Sequence, residues 1–216
     1  MLDEDFSQPM FNALPPAVVA LALAIFAVEV FFYLGESGII GGDDAIGWRV
    51  WAMRELGFFA PLIPWMIDTG NWAPEHLVRF VSYPFLHWGF TSAIFSIVLL
   101  LALGKLVGEV FGNLAVLIVF FACAVFGAFV FAGLTGSERP LIGAYPSVYG
   151  LIGAYTFLLW VSFGQMGQNQ YQAFTLIGFL LGIQLIFGML FGGTSDWVAE
   201  VAGFVLGFFI APFLAK

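Results

Sequence analysis

Long apolar runs separated by mostly short polar connections dominate this chain. Six runs come close to the roughly 20 residues that a helix needs to cross the hydrocarbon core of a bilayer. Lipid offers no partner for an open strand edge, so each run is predicted to be helical. The predicted helices cover residues 14–34, 82–104, 113–134, 147–164, 172–192 and 197–215. The pattern therefore predicts an all-α, polytopic membrane protein that forms one domain over residues 1–216.

The first connection, residues 35–81, is much longer than the others. It holds most of the loop charge and four tryptophans, Trp48, Trp51, Trp65 and Trp72. Residues 47–54 have the pattern of a short amphipathic helix that lies in the membrane interface, and tryptophans favour the level of the lipid headgroups. An acidic tail, residues 1–13, precedes the first predicted helix.

The composition agrees with a membrane protein, since 62% of residues are hydrophobic and only 9% are charged. Six basic residues are too few to track nucleic-acid phosphates. The net charge of −8 argues against an anchor to acidic lipids. Cys123 lies in an apolar run and is expected to be a buried packing residue. Two histidines and one cysteine form no ligand cluster, so neither a metal nor a cofactor is expected.

Short motifs of polar residues and glycines punctuate the apolar runs. Arg79 precedes the second predicted helix, and Phe85-Leu86-His87 lie at its start. The helix then carries Ser92 and Ser96. Gly104, Glu109 and Gly112 lie at or just after its end. The fourth opens on Gly143-Ala144-Tyr145-Pro146-Ser147-Val148-Tyr149-Gly150-Leu151-Ile152-Gly153-Ala154. The sixth contains Ala199-Glu200-Val201-Ala202-Gly203-Phe204-Val205-Leu206-Gly207.

In their order and spacing these motifs resemble those of the rhomboid intramembrane serine proteases. That family reads roughly G-A-S-G-x-x-Y-G-L-L-G-A at the fourth helix, A-H-x-x-G-x-x-x-G at the sixth and H-x-x-x-x-H-x-x-x-N at the second. The resemblance covers residues 79–215. It implies a rhomboid-like bundle of six transmembrane helices with a long interfacial first loop. It also implies a cytoplasmic N-terminus, and we expect the protein to lie in a bacterial inner membrane.

The sequence departs from the family at the positions that carry its chemistry. Tyr145 stands in place of the nucleophilic serine, and Glu200 in place of the catalytic histidine. Ser92 and Ser96 replace the histidine and asparagine that help form the oxyanion hole. Pro146 replaces a glycine and lacks its backbone N–H. Because tyrosine is not a competent acyl acceptor there, the resemblance implies a pseudoprotease without enzyme activity.

The remaining marker residues have predicted structural roles. Small residues let helix backbones approach closely. Such close helix packing is predicted at Gly150, Gly153, Gly203 and Gly207, and Tyr149 is predicted to pack between helices as a core aromatic. The residues predicted to anchor the long loop are Arg79, Glu109 and His87.

Polar side chains within the predicted helices are costly in lipid, so each is expected to have a partner. We expect Glu200 to be protonated and hydrogen-bonded to Tyr145 or to a serine of the second helix. Those serines are otherwise expected to bind helix backbone. Gln184 is expected to donate a hydrogen bond between helices. Glu29 is expected to reach the interface or to pair with an arginine of the long loop.

These features favour a non-catalytic protein that binds transmembrane helices of other membrane proteins within the lipid bilayer. It would serve as an adaptor or as an accessory subunit of a membrane complex. One alternative is an active rhomboid-type endopeptidase that uses Ser147, whose other role is a capping or packing hydroxyl. A third is a small transporter with a polar path through Glu29, Gln184 and Glu200.

Overall fold

The computed structural model describes residues 13–191 and 193–214 and is almost entirely helical. Residues 1–12 of the predicted acidic tail, and the ends of the predicted helices at 192 and 215, lie outside the described residues. The α-helices are α1 Pro16–Glu36, α2 Trp48–Leu56, α3 Leu62–Thr69, α4 Pro74–Leu77, α5 Arg79–Ser82, α6 Phe90–Phe111, α7 Asn113–Thr135, α8 Tyr145–Gln165, α9 Thr175–Phe191 and α10 Trp197–Leu214.

Five of these helices, α1, α6, α7, α8 and α10, are long and apolar enough to cross a membrane. The chain is therefore a polytopic membrane protein. The run predicted at 172–192 forms α9, which has 17 residues. At 1.5 Å per residue α9 is about 26 Å long, slightly shorter than a hydrocarbon core of about 30 Å. Its crossing of the membrane stays a prediction.

The second predicted helix is displaced along the sequence. It was expected at 82–104, whereas α6 runs from Phe90 to Phe111. Residues 83–85 form a 3-10 helix instead, and Leu86 is extended. Tyr83 and Leu86 are buried inside the protein. Their apolar character therefore reflects packing against protein and not contact with lipid. α6 ends at Gly112, whose φ of +87° suits glycine and reverses the chain into α7.

The long first connection contains more structure than the sequence indicated. The helix expected near residues 47–54 is present as α2, and its place in the membrane interface stays a prediction. The helices α3, α4 and α5 and a 3-10 helix at Gly42–Gly47 were not predicted. Trp48 stacks on Phe31 of α1 with ring centroids 5.0 Å apart. Phe58 pairs with Leu141 through an isolated antiparallel bridge. The connection is thus packed onto α1 at one point and onto the connection between α7 and α8 at the other.

Glycines bring α8 and α10 into direct backbone contact. A Cβ added at Gly203 would collide with the carbonyl of Pro146, and one added at Gly207 with the carbonyl of Gly150. A Cβ at Gly153 would meet the carbonyl of Phe204. The structure therefore places these predicted packing glycines at one helix interface, which only residues without a side chain can form.

A fully buried thiol fills the space on the other side of α8. Cys123 of α7 has no exposed surface, and a Cβ added at Gly150 would collide with its sulfur. Tyr149 is also buried, with 6% of its surface exposed. The start of α8 is consequently enclosed by α7 and α10 and has little freedom to shift.

Candidate functional site

The first turn of α8 presents a tyrosine side chain to α6. Ala144 occupies the N-cap position without a capping side chain, and Pro146 occupies a first-turn position where a missing N–H costs little. The Tyr145 hydroxyl donates to the backbone carbonyl of Ser92 at 3.2 Å. It also lies 3.5 Å from the Ser92 hydroxyl. Tyr145 and Ser92 thus form one hydrogen-bonded contact between α6 and α8.

Glu200 binds a different partner from the one expected. Its carboxylate accepts a hydrogen bond from the Gln184 side-chain amide at 2.6 Å. The expectation that Glu200 binds Tyr145 or a serine of α6 is therefore wrong, since Tyr145 is engaged by Ser92. Gln184 does donate between helices, from α9 to α10, and Glu200 is 6% exposed. The protonation of Glu200 stays a prediction.

Two further serines near the site are fully buried. The Ser147 hydroxyl donates to the backbone carbonyl of Phe120 at 2.7 Å, which directs it toward α7. Ser96 has no hydrogen-bond partner among the described residues, so its expected bond to backbone or to Glu200 is absent there. The Ser96 hydroxyl is consequently a buried polar group in a helical bundle, an arrangement that costs free energy.

His87 connects the long loop to the start of α8. Its ring Nε2 accepts a hydrogen bond from the backbone N–H of Ala144 at 3.5 Å, and its carbonyl accepts one from Arg49 at 2.9 Å. Burial lowers the pKa of His87 to about 4, and the positive charge of Arg49 also lowers it. The imidazole is therefore neutral at pH 7 and accepts through Nε2.

Arg49 occupies the centre of a buried charge cluster. It binds both carboxylate oxygens of Glu29, at 2.8 and 2.9 Å, and its Nε lies 2.6 Å from Glu36. Burial opposes the charge, but the hydrogen bonds that Arg49 donates to the carboxylates of Glu29 and Glu36 raise the pKa of Arg49 above its usual value. The structure thus places Glu29 against an arginine of the long loop, one of its two expected arrangements.

Of the other two predicted loop anchors, Arg79 contacts the long loop and Glu109 does not contact it among the described residues. Arg79 donates to the carbonyls of Arg54 and Gly57, at 2.6 and 3.0 Å, and therefore holds the loop. Glu109 lies instead near the far end of α6, where its carboxylate is 3.8 Å from the ammonium of Lys105. The expectation that Glu109 anchors the loop is wrong, because Glu109 is on the final turn of α6.

The chemistry available at this site is limited among the described residues. The Tyr145 and Ser147 hydroxyls both donate to backbone carbonyls, and neither is paired with an imidazole. Nucleophilic catalysis requires a hydroxyl or thiol next to a general base. No group of three histidine, cysteine or carboxylate side chains in the described part of the chain is arranged to hold a metal ion.

Comparison with known proteins gives two matches. The family model described as the Rhomboid domain matches residues 74–216. The chain is also 25% identical, over 197 residues, to a protein of Toxoplasma gondii named Rhomboid-like protease 1. That match covers 91% of this chain and 64% of the relative, so the chain spans less than two thirds of the relative's length.

Proposed function

The chain belongs to the rhomboid family, and we propose that it is a non-catalytic member that binds transmembrane helices of other membrane proteins. It acts as an adaptor or as an accessory subunit of a membrane complex. One observation carries the proposal. The Tyr145 hydroxyl is bound to Ser92 of α6, and the motif resemblance assigns Tyr145 to the position of the family's nucleophile.

The contacts of the neighbouring residues support a role without catalysis. Ser147 directs its hydroxyl proton at the carbonyl of Phe120 and is fully buried, so it is a poor substitute nucleophile. Glu200 is bound to Gln184 and not to either hydroxyl. Nucleophile and base are therefore held by separate partners, whereas acyl transfer requires them to share one hydrogen bond.

A surface suited to a guest helix is present on α9. A Cβ added at Gly178 or Gly182 meets no atom of a described residue within 4 Å, in contrast to the enclosed glycines of α8 and α10. These two glycines are four residues apart and share one face of α9. Small residues at such spacing let a second helix approach closely in lipid. We assign the guest helix to this face of α9.

The transporter alternative has less support. Glu29 is bound to Arg49, and Gln184 and Glu200 are bound to each other. The three side chains thus belong to two separate hydrogen-bonded groups. For the proposed adaptor we retain the family arrangement, with a cytoplasmic N-terminus in a bacterial inner membrane.

Site-specific photocrosslinking in the native membrane tests the binding of helices. Benzoylphenylalanine would replace Phe179, which is on α9 and 64% exposed. A matched control would carry the same probe at Phe213 of α10, which is 86% exposed. We expect crosslinks to single-span or complex membrane proteins at Phe179 and only lipid adducts at Phe213. Equal crosslinking at both positions, or a clean monomer after mild-detergent purification, would contradict the proposal.

A restored active site tests the assignment of the lost catalytic positions. The variant would carry Tyr145→Ser, Pro146→Gly, Glu200→His, Ser92→His and Ser96→Asn. We expect it to cleave a single-span reporter substrate that the unmodified chain leaves intact. A folded but wholly inactive variant would count against the assignment. Fluorophosphonate labelling of the unmodified chain that Ser147→Ala abolishes would instead support the protease alternative.

A further inference from the structure

The long first connection contains an open cleft whose lining residues are separate from the site around Tyr145 and Glu200. Its volume is about 430 Å³, and its walls combine cationic with apolar side chains. The lining includes Arg54, Arg79, His76, Phe59, Leu62 and Trp65. We propose that this cleft binds the phosphate group of a glycerophospholipid headgroup. The inference is independent of the proposed binding of helices.

Two guanidinium groups supply the cationic side of the cleft. Arg79 uses one terminal nitrogen to bind two backbone carbonyls, but its Nε is buried and has no partner among the described residues. Arg54 is exposed and forms no ion pair in the described part of the chain. Guanidinium groups match phosphate oxygens in geometry and charge, and they do so better than ammonium groups.

The carboxylate within ion-pair distance of Arg79 pairs with it only loosely. Glu55 lies 3.9 Å from Arg79, at the limit of an ion pair, and its side chain is 55% exposed whereas that of Arg79 is 16% exposed. A long pair with one exposed partner contributes little to stability and is partly screened by salt. An anion that reached the cleft would therefore find a cationic environment.

The apolar side of the cleft distinguishes a lipid from a soluble anion. Trp65 packs edge-on against His76, with ring centroids 4.9 Å apart, and remains 43% exposed. Phe59 lies beneath the Arg79 guanidinium, 6.0 Å from ring centroid to carbon. A glycerol backbone and the first methylenes of an acyl chain would cover these surfaces, whereas inorganic phosphate would leave them in contact with water.

The position of the cleft fits the same ligand. The cleft lies in the connection between the spanning helices α1 and α6. Two tryptophans of this connection, Trp51 and Trp72, are exposed. Exposed indoles are typical of the headgroup level. The net charge of −8 argues against adsorption to an acidic surface, but a cleft with two arginines needs only one phosphate.

Native mass spectrometry of the full-length protein in detergent tests the site. The protein would be titrated with dioleoyl phosphatidylglycerol, with dioleoylglycerol, which has no phosphate, and with inorganic phosphate. We expect one phosphatidylglycerol per chain, retained about tenfold more tightly than dioleoylglycerol, as expected for one charge-assisted hydrogen bond. Arg54→Gln should weaken phosphatidylglycerol binding about tenfold. Arg139→Gln, which changes an exposed arginine between α7 and α8, should leave it unchanged.

Three results would overturn the inference. Equal retention by Arg54→Gln and the unmodified chain would show that Arg54 does not bind the ligand. Equal binding of dioleoylglycerol would show that phosphate is not recognised. Displacement of the lipid by millimolar inorganic phosphate would assign the cleft to a soluble anion. Thermal unfolding of each variant would check folding, which we expect to be retained because the Arg54 side chain is exposed.

Discussion

Arg49 of α2 and Glu29 of α1 form a two-point ion pair that joins the interfacial loop to the first membrane helix. The two bonds measure 2.9 and 2.8 Å, and the side chains are only 8% and 2% exposed. One of the two guanidinium nitrogens that bind Glu29, Nη1, also donates to the carbonyl of His87. One side chain therefore fixes the loop against both α1 and the entry to α6.

Arg49→Met is expected to destabilise the protein by about 3–5 kcal/mol, because it leaves Glu29 buried without a counter-charge. Glu29→Gln should cost less, since Arg49 keeps its contacts with Glu36 and His87. Thermal unfolding in detergent would rank the two variants. Arg139→Met, at an exposed position, serves as the control and should have little effect. A larger loss from Glu29→Gln would contradict the ranking.

The lowered pKa of His87 predicts that the folded protein loses stability in acid. Its folded pKa of about 4 lies below the ordinary value of 6.5, so the unfolded chain binds more protons between these limits. Its contribution is therefore complete above pH 6.5 and is lost as the pH falls toward 4, by up to about 3 kcal/mol.

Unfolding measured from pH 7.5 to 4 would test this contribution of His87. We expect His87→Asn to flatten the pH profile even if it lowers stability at pH 7.5. An unchanged slope in His87→Asn would assign the acid sensitivity to other groups.

Gly207→Ala is expected to destabilise the bundle by about 1–3 kcal/mol or more, because its Cβ would collide with the carbonyl of Gly150. Backbone atoms at a helix interface cannot rotate away as a side chain can. Gly182→Ala is the matched change at an open position and should be neutral or slightly stabilising. The difference in melting temperature between the two variants measures the effect, and similar values would contradict it.

Gly182→Leu is expected to reduce capture of partner helices several-fold without loss of stability. The added side chain would occupy the space where we assign the guest helix, and its Cβ meets no atom of the described part of the chain. Quantitative mass spectrometry of co-purified proteins would measure the loss. Phe213→Leu, at an exposed position of α10, is the control. Undiminished capture by Gly182→Leu would place the guest helix elsewhere.

Ser147→Ala is expected to lower stability by about 1 kcal/mol, since it removes one buried hydrogen bond to Phe120. Labelling by a fluorophosphonate probe should be absent in both the unmodified chain and the variant. Thermal unfolding and gel fluorescence would measure the two quantities. Ser137→Ala, in the connection after α7, controls for nonspecific labelling.

Hydropathy predicted much of the helical arrangement because long apolar runs have few structural options in lipid. The hydropathy pattern failed to predict the start of α6, because the apolar residues Tyr83 and Leu86 before it pack inside the protein and do not face lipid. A hydropathy window measures polarity and does not distinguish these two environments. The helical segments α3 to α5 were missed because short helices inside a packed loop have no such signal.

The sequence singled out candidate residues by their motif positions, but it did not predict the partners that those residues bind. Motif positions pointed to Tyr145 and Glu200, whose assignment to catalytic positions stays a prediction. The partner of each depends on how α6 and α9 lie against α8 and α10. The pair of Gln184 and Glu200 joins residues 16 positions apart. Such a contact is set by helix packing, and a single sequence carries no direct signal for it.

The enclosure of Cys123 makes the natural chain a suitable starting point for mapping membrane topology with thiol reagents. It is the single cysteine in the sequence, and it has no exposed surface between α7 and α8. A maleimide added from either side of the membrane would find no reactive sulfur in the folded protein. One cysteine introduced in any connection would then report the side on which that connection lies, without prior removal of the native residue.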